Sequence, residues 1–88
     1  MAEERKEVKI GVITHFFGKV GAGIINLTDG DLKVGDKIHI KGATSDFEQV
    51  VESMQIEHKD VQEAKKGSQA GIKVKEHVRE HDVVYKVI

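Results

Sequence analysis

Apolar and polar residues alternate along most of this chain in short runs, and glycine, asparagine and aspartate separate the runs. Val8, Ile10, Val12 and Phe16 share one parity and Lys9, Gly11 and His15 the other, the period-two pattern of a half-buried strand over Val8 to Phe17. Gly18-Lys19-Val20-Gly21 turns the chain into a second strand ending at Leu27, and Thr28-Asp29-Gly30-Asp31 is the next turn. In residues 32–42 a tight turn at Gly35-Asp36 leads into a strand that sends Ile38 and Ile40 inward and Lys37, His39 and Lys41 outward. Phe47 to Ile56 reads as a fourth strand of mixed phase, with Val50, Met54 and Ile56 on one parity and Val51 and Ser53 on the other, which predicts a bulge.

Asp60-Val61-Gln62-Glu63 has the form of a capping box, Lys65 and Lys66 suit a helix C-terminus, and Gly67 stops the chain, so one helical turn is expected over Val61 to Lys66. Ala70, Ile72 and Val74 then alternate with Gly71, Lys73 and Lys75, and a last strand runs from Asp82 to Ile88. The pattern gives an all-β domain of six strands over residues 8–88, preceded by a charged tail at 1–7.

Composition narrows what such a domain does. A chain of 88 residues is one small domain, burying about 60 to 65% of its unfolded surface, which leaves little room for a walled active site. It has no cysteine, so disulfides, thiolate metal sites and cysteine nucleophiles are excluded. The N-terminus lacks an apolar signal core and no run reaches the 18 or so apolar residues of a membrane span, which predicts a soluble cytoplasmic protein. With 14 Lys+Arg against 15 Asp+Glu, the net charge of −1 means that nucleic acid would have to meet a local basic patch.

One motif suggests catalysis. His77-Val78-Arg79-Glu80-His81 has the H-x-x-E-H spacing of a class of zinc peptidases. That chemistry needs both histidines on one helical face and a further ligand far downstream, but only seven residues follow His81 and the flanks are valine-rich. Aligning Gly35 with His81 instead sets Lys33-Val34-Gly35-Asp36-Lys37-Ile38 over Arg79-Glu80-His81-Asp82-Val83-Val84. HVREHD is then a second copy of the Gly-Asp turn, with His81 in a left-handed position that glycine holds in the first. His15, His39 and His58 each stand alone on their segments and read as ordinary surface or half-buried residues.

The series GVIT at 11–14, the glycine-rich second strand, LTDGDLKVGDKIHI, the V-x-x-A-x-x-G of Val61, Ala64 and Gly67, GIKV and VREHDVVYKV resembles domain 2 of the translation elongation factor GTPases. It is more similar still to the C-terminal barrel of the collagenase-like peptidases linked to tRNA modification, and to free-standing elongation-factor-like proteins. The resemblance covers Val8 to Ile88 and implies a closed six-stranded Greek-key barrel that binds without catalysis; it departs from the family at His81, where glycine is usual. No P-loop is present, because Gly18-Lys19 is followed by Val20 and Ile13 stands where the first glycine would be. Gly18-Lys19-Val20-Gly21 matches the KH-domain G-x-x-G, but that loop joins helices and here both flanks read as strands.

The candidate binding residues are therefore on the surface. Lys37, His39 and Lys41 project from one strand and Lys73 and Lys75 from another, and the two rows would merge if the strands were neighbours. His15, Phe17 and Lys19 form a second group at the first hairpin, where an outward aromatic beside a histidine and a lysine can stack on an unpaired base or fill a small core. The expectation is a module without catalytic residues, cofactor, nucleotide or metal that binds RNA, as tRNA or ribosome. The alternative is a module that docks on a larger enzyme such as a collagenase-like peptidase or a tRNA-modification enzyme.

Overall fold

The computed structural model describes residues 6–43 and 45–88 of the chain. The first strand, β1 (Glu7–Phe17), shows how the pattern is used and where it breaks. It pairs with β10 (Val83–Val87) with a register shift between Lys9 and Gly11, and with β2 (Ala22–Asn26) with a second shift between Ile13 and His15. Each bulge inverts the parity that follows it. Ile10 and Ile13 are therefore both buried while Val8 is exposed, contrary to the uninterrupted alternation expected, and Phe16 returns to the core as Phe17 turns outward. Gly11 sits at the first bulge because a Cβ there would collide with the Asn26 carbonyl.

The remaining strands are β3 (Leu32–Lys33), β4 (Lys37–Lys41), β5 (Asp46–Val50), β6 (Met54–Ile56), β7 (Lys59–Asp60), β8 (Glu63–Ala64) and β9 (Gln69–Lys73). The main sheet has the order β5-β4-β10-β1-β2-β9-β6-β7, and β3 pairs with β8 beside it. Every pairing is antiparallel. The concave side holds one core, with Ile13, Ile25, Leu32, Ile38, Ile40, Ile72 and Val84 all essentially inaccessible.

Three expectations are corrected. The six strands become ten among the described residues. The mixed-phase run from Phe47 to Ile56 is not one bulged strand but two. It breaks at residues 51–53, so that β5 pairs with β4 and β6 pairs with β9 at the far side of the sheet. The helical turn over Val61 to Lys66 is replaced by the short strand β8, whose Ala64 is buried opposite Leu32. Burial of that alanine against the core outweighs a weak local capping signal.

The sheet is also not a closed barrel. No ladder joins β5 to β7 among the described residues, although the sheet curls far enough to bring β5 against the end of β9. There the Gln49 side chain bridges the seam. Its Nε2 donates to the Lys73 carbonyl at 2.7 Å and its Oε1 accepts from the Lys75 amide at 2.9 Å. A primary amide has one donor and one acceptor group in the spacing of a peptide unit, so Gln49 stands in for a neighbouring strand over one repeat.

The two Gly-Asp turns match bond for bond. The amides of Asp36 and Asp82 donate to the carbonyls of Lys33 and Arg79, both at 3.1 Å. Their carboxylates accept from the Lys33 and Arg79 amides at 2.9 and 3.0 Å. Gly35 and Asp36 exchange backbone bonds with Val51, and His81 and Asp82 exchange the same pair with Ile13. Gly35 has φ 99° and His81 φ 76°, as the alignment of the two turns predicts. No helix among the described residues is long and apolar enough to cross a membrane.

Candidate functional site

The two lysine rows do not merge. β4 neighbours β10 and β5, whereas β9 neighbours β2 and β6, so strand β5 lies between the rows at the curled seam. β5 carries acids toward the β4 row: Glu48 pairs with His39 across the ladder and Asp46 with Lys41. Lys37 Nζ lies 3.3 Å from Glu48 Oε1, which compensates its charge in place. Lys41 is exposed at the end of β4 beside Asp46.

His39 is the most enclosed of the candidate residues, with 14% of its side chain exposed. Its Nδ1 is 2.9 Å from Glu7 Oε2 and its Nε2 is 2.5 Å from Asp46 Oδ1. Two carboxylates at the two ring nitrogens favour the doubly protonated ring. The bond to Asp46 is the chief cause that raises its pKa above 6.5, with Glu7 adding to it and partial burial opposing it. Glu7, His39 and Glu48 also place ligand atoms within 4.8 Å of one another. The ring nitrogens of His39 face Glu7 and Asp46, and this cluster ties the start of β1 to β4 and β5.

The histidines of the H-x-x-E-H stretch are not on a helix. His81 occupies the left-handed turn, the His77 ring stacks at 4.5 Å on Phe16, and Glu80 faces His15 at 3.6 Å. The spacing therefore serves a turn, as the alignment with the first copy predicts.

The hairpin residues lie at a surface of another kind. Phe17 is 51% exposed and Val20, in the turn after it, is 63% exposed. The His15 ring is 6.2 Å from that of Phe17, and Lys19 is exposed in the same turn. Val20 and Gly21 form one wall of a groove of about 480 Å³ whose other walls are Gln49, Val50 and Glu52 from the β5 side and Lys73, Val74 and Lys75 from the end of β9. A second hollow of about 480 Å³ continues from Val20 and Lys73 past Phe17, Ile24 and Gly71 to Gln55 and His58. Val20, Val50, Val74 and Gln49 were not candidates from the sequence. Val50 and Val51 could not be told apart while the strand break between β5 and β6 was hidden, and Val20 sat inside a stretch that read only as a turn.

Among the described residues no buried side-chain polar atom lacks a partner, and the groove is lined by Lys73, Lys75, Glu52 and Gln49 among valine and glycine. What it presents is an apolar floor between two strand ends, rimmed by lysine.

No protein-family model matches the chain. It is 47% identical over 85 residues to an uncharacterized protease of Methanocaldococcus jannaschii, a match covering 96% of this chain and 21% of that protein. It is 34% identical over 83 residues to a collagenase of Porphyromonas gingivalis, covering 93% of this chain and 20% of the relative. The chain thus spans about a fifth of the length of the curated relatives it matches. Its fold is that of a U32 peptidase C-terminal domain. The C-terminal domain of a Geobacillus thermoleovorans protein assigned to the U32 peptidases superposes with a TM-score of 0.81, at 19% identity and covering 91% of both chains. Its selenomethionine variant gives the same score over 86% of this chain and 95% of the other. The peptidase side of the sequence resemblance is thereby supported, and the elongation-factor side rests on the sequence marks alone.

Proposed function

We propose that this chain is a non-catalytic docking module that binds a larger collagenase-like peptidase of the U32 type. The observation that carries this reading is the match of nearly the whole chain to one fifth of a longer protease at 47% identity. A domain conserved in that way alongside a much larger remainder has a surface suited to that remainder. The exposed apolar residues Phe17, Val20 and Val50, which line the two adjoining hollows, support the same reading.

An RNA-linked role is less well supported by the surface. A single strand needs a continuous basic track with stacking aromatics, and here β5 and its acids interrupt the track. Phe17 is the one outward aromatic of the hairpin, and its neighbours in the hollow are apolar or uncharged save for Lys73 and His58.

Sedimentation velocity tests the docking. The M. jannaschii protease lacking the segment that matches this chain should form a one-to-one complex with it, and the intact protease, whose own copy fills the position, should not. Absence of a complex with the shortened protease at tens of micromolar overturns the proposal. The chain alone should leave gelatin and casein uncleaved, and protease activity that copurifies through two columns and is lost in His77→Ala would contradict its non-catalytic part.

A further inference from the structure

The lysines of this domain fall into two classes. Lys9, Lys37, Lys65 and Lys86 each lie within 4.0 Å of a carboxylate, at Asp29, Glu48, Glu63 and Asp36 respectively. Lys6, Lys19, Lys33, Lys41, Lys59, Lys66, Lys73 and Lys75 have no ion-pair partner among the described residues, and of these Lys73 and Lys75 line the groove between Val20 and Val50. Both are exposed, on either side of the buried Val74, where β9 ends and the chain bends. Glu52 is the one acid on the groove walls, which leaves the rim with a positive excess.

The seam explains why these two lysines are held in place. Gln49 fixes the Lys73 carbonyl and the Lys75 amide from the opposite wall, and the Val74 amide donates to the Gly21 carbonyl at 2.9 Å. The segment carrying the charges is thus bonded on both sides, to the strand end behind it and to the hairpin turn in front. The apolar side chains of Val20 and Val50 flank it, 63% and 48% exposed.

Resting on the docking reading above, we infer that the Val20–Val50 groove is the docking surface, and that its occupant is a segment of the peptidase body with an aliphatic or aromatic anchor between carboxylates. The anchor seats against Val20 and Val50, and carboxylates on either side of it meet Lys73 and Lys75. Charge complementarity selects this occupant over a basic segment, which the rim repels. It is also selected over a purely apolar one, which would leave two desolvated ammonium groups unpaired.

Amide shifts of the 15N-labelled chain provide the test, with acetyl-Glu-Glu-Leu-Phe-Glu-Glu-amide as the probe, its Lys-for-Glu analogue and a short oligouridine as comparisons. The acidic peptide should shift Val20, Val50, Lys73 and Lys75 selectively. Two lost ion pairs at an exposed rim should weaken it roughly tenfold in the K73E/K75E double variant. Val20→Ser, at an exposed turn position where folding is not at stake, should weaken it roughly threefold or more. Lys66→Glu, outside the groove, should leave it unchanged. Equal shifts from the basic peptide, shifts confined to other residues, or tighter binding of oligouridine at the same residues would overturn the inference.

The shortened protease separates this inference from the docking reading. If it binds the wild-type chain and K73E/K75E equally, docking stands and the groove is wrong. If it does not bind while the acidic peptide still selects the groove, docking falls and the chemistry of the groove is supported.

Discussion

At Gly35 and His81 the backbone takes the same left-handed turn once without and once with a side chain. Nothing lies within 4 Å of a Cβ built on Gly35, so the penalty for a side chain there is conformational and not steric. Gly35→Val should cost about 1 to 2 kcal/mol, while His81→Gly should be neutral or gain up to about 1 kcal/mol, as read by urea unfolding midpoints. A clear loss in His81→Gly would reveal a contact of the histidine that the turn geometry does not require.

His39 makes a pH-dependent prediction at the same scale. Its folded pKa lies above the unfolded value of 6.5, first through Asp46 and then through Glu7. Its contribution is therefore complete below pH 6.5 and is lost as pH rises through the folded pKa. Unfolding midpoints should fall as pH rises above 6.5 in the wild type, and the fall should be smaller in His39→Gln. An identical pH dependence in the two would remove the network from the account. Both residues were visible in the sequence for different reasons. His81 was betrayed by its alignment with a glycine turn, whereas the partners of His39 are 32 and 7 positions away and no local pattern announces them.

Among the elements, the strands with one clean alternation were legible, and those whose phase is set by distant contacts were not. β4 and β9 follow their apolar periods, with Ile38 and Ile40, then Ala70 and Ile72, turned inward. β1 carries two bulges that parity alone cannot place, because each depends on how far β10 and β2 have slipped along it. The break between β5 and β6 is likewise a property of the pairing: the chain leaves β4 and crosses to β9, and the residues between serve the Gly35 turn through Val51. The capping box misled for a related reason. Asp60 pairs with Gln55 of β6 and Glu63 with Lys33 of β3 once the sheet exists, and a single turn of helix has too few bonds to compete.

The seam between β5 and β9 is the element-scale feature most open to test. Gln49→Leu keeps the size of the side chain but leaves the Lys73 carbonyl and the Lys75 amide to solvent. It should cost about 1 to 2 kcal/mol and speed amide exchange at Lys75, because two hydrogen bonds to backbone are lost at a partly exposed site. Unchanged exchange at Lys75 would mean that the two edges meet without the glutamine.

For the whole molecule, the fold class could be read from short apolar runs and Gly-Asp turns, but closure could not. Whether a curled sheet of this size completes its ladder depends on a few edge bonds, and here a side chain replaces them. The site had the same limit. Phe17, Lys73 and Lys75 were marked as outward-facing from parity, but whether Lys73 and Lys75 meet the lysines of β4 or Val20 and Val50 depends on the strand order. The surface that results sets the exposed Val20 and Val50 beside Lys73 and Lys75, with bonded backbone behind them.

Hydrogen exchange of the chain, alone and with the shortened M. jannaschii protease, tests this account most directly. Added protection is expected in the turn at residues 17–21, at Val50 and over residues 73–75, with little change along β3 and β8. Protection that leaves the groove untouched and appears instead on β4 and β10, or no added protection at saturating protease, would contradict it.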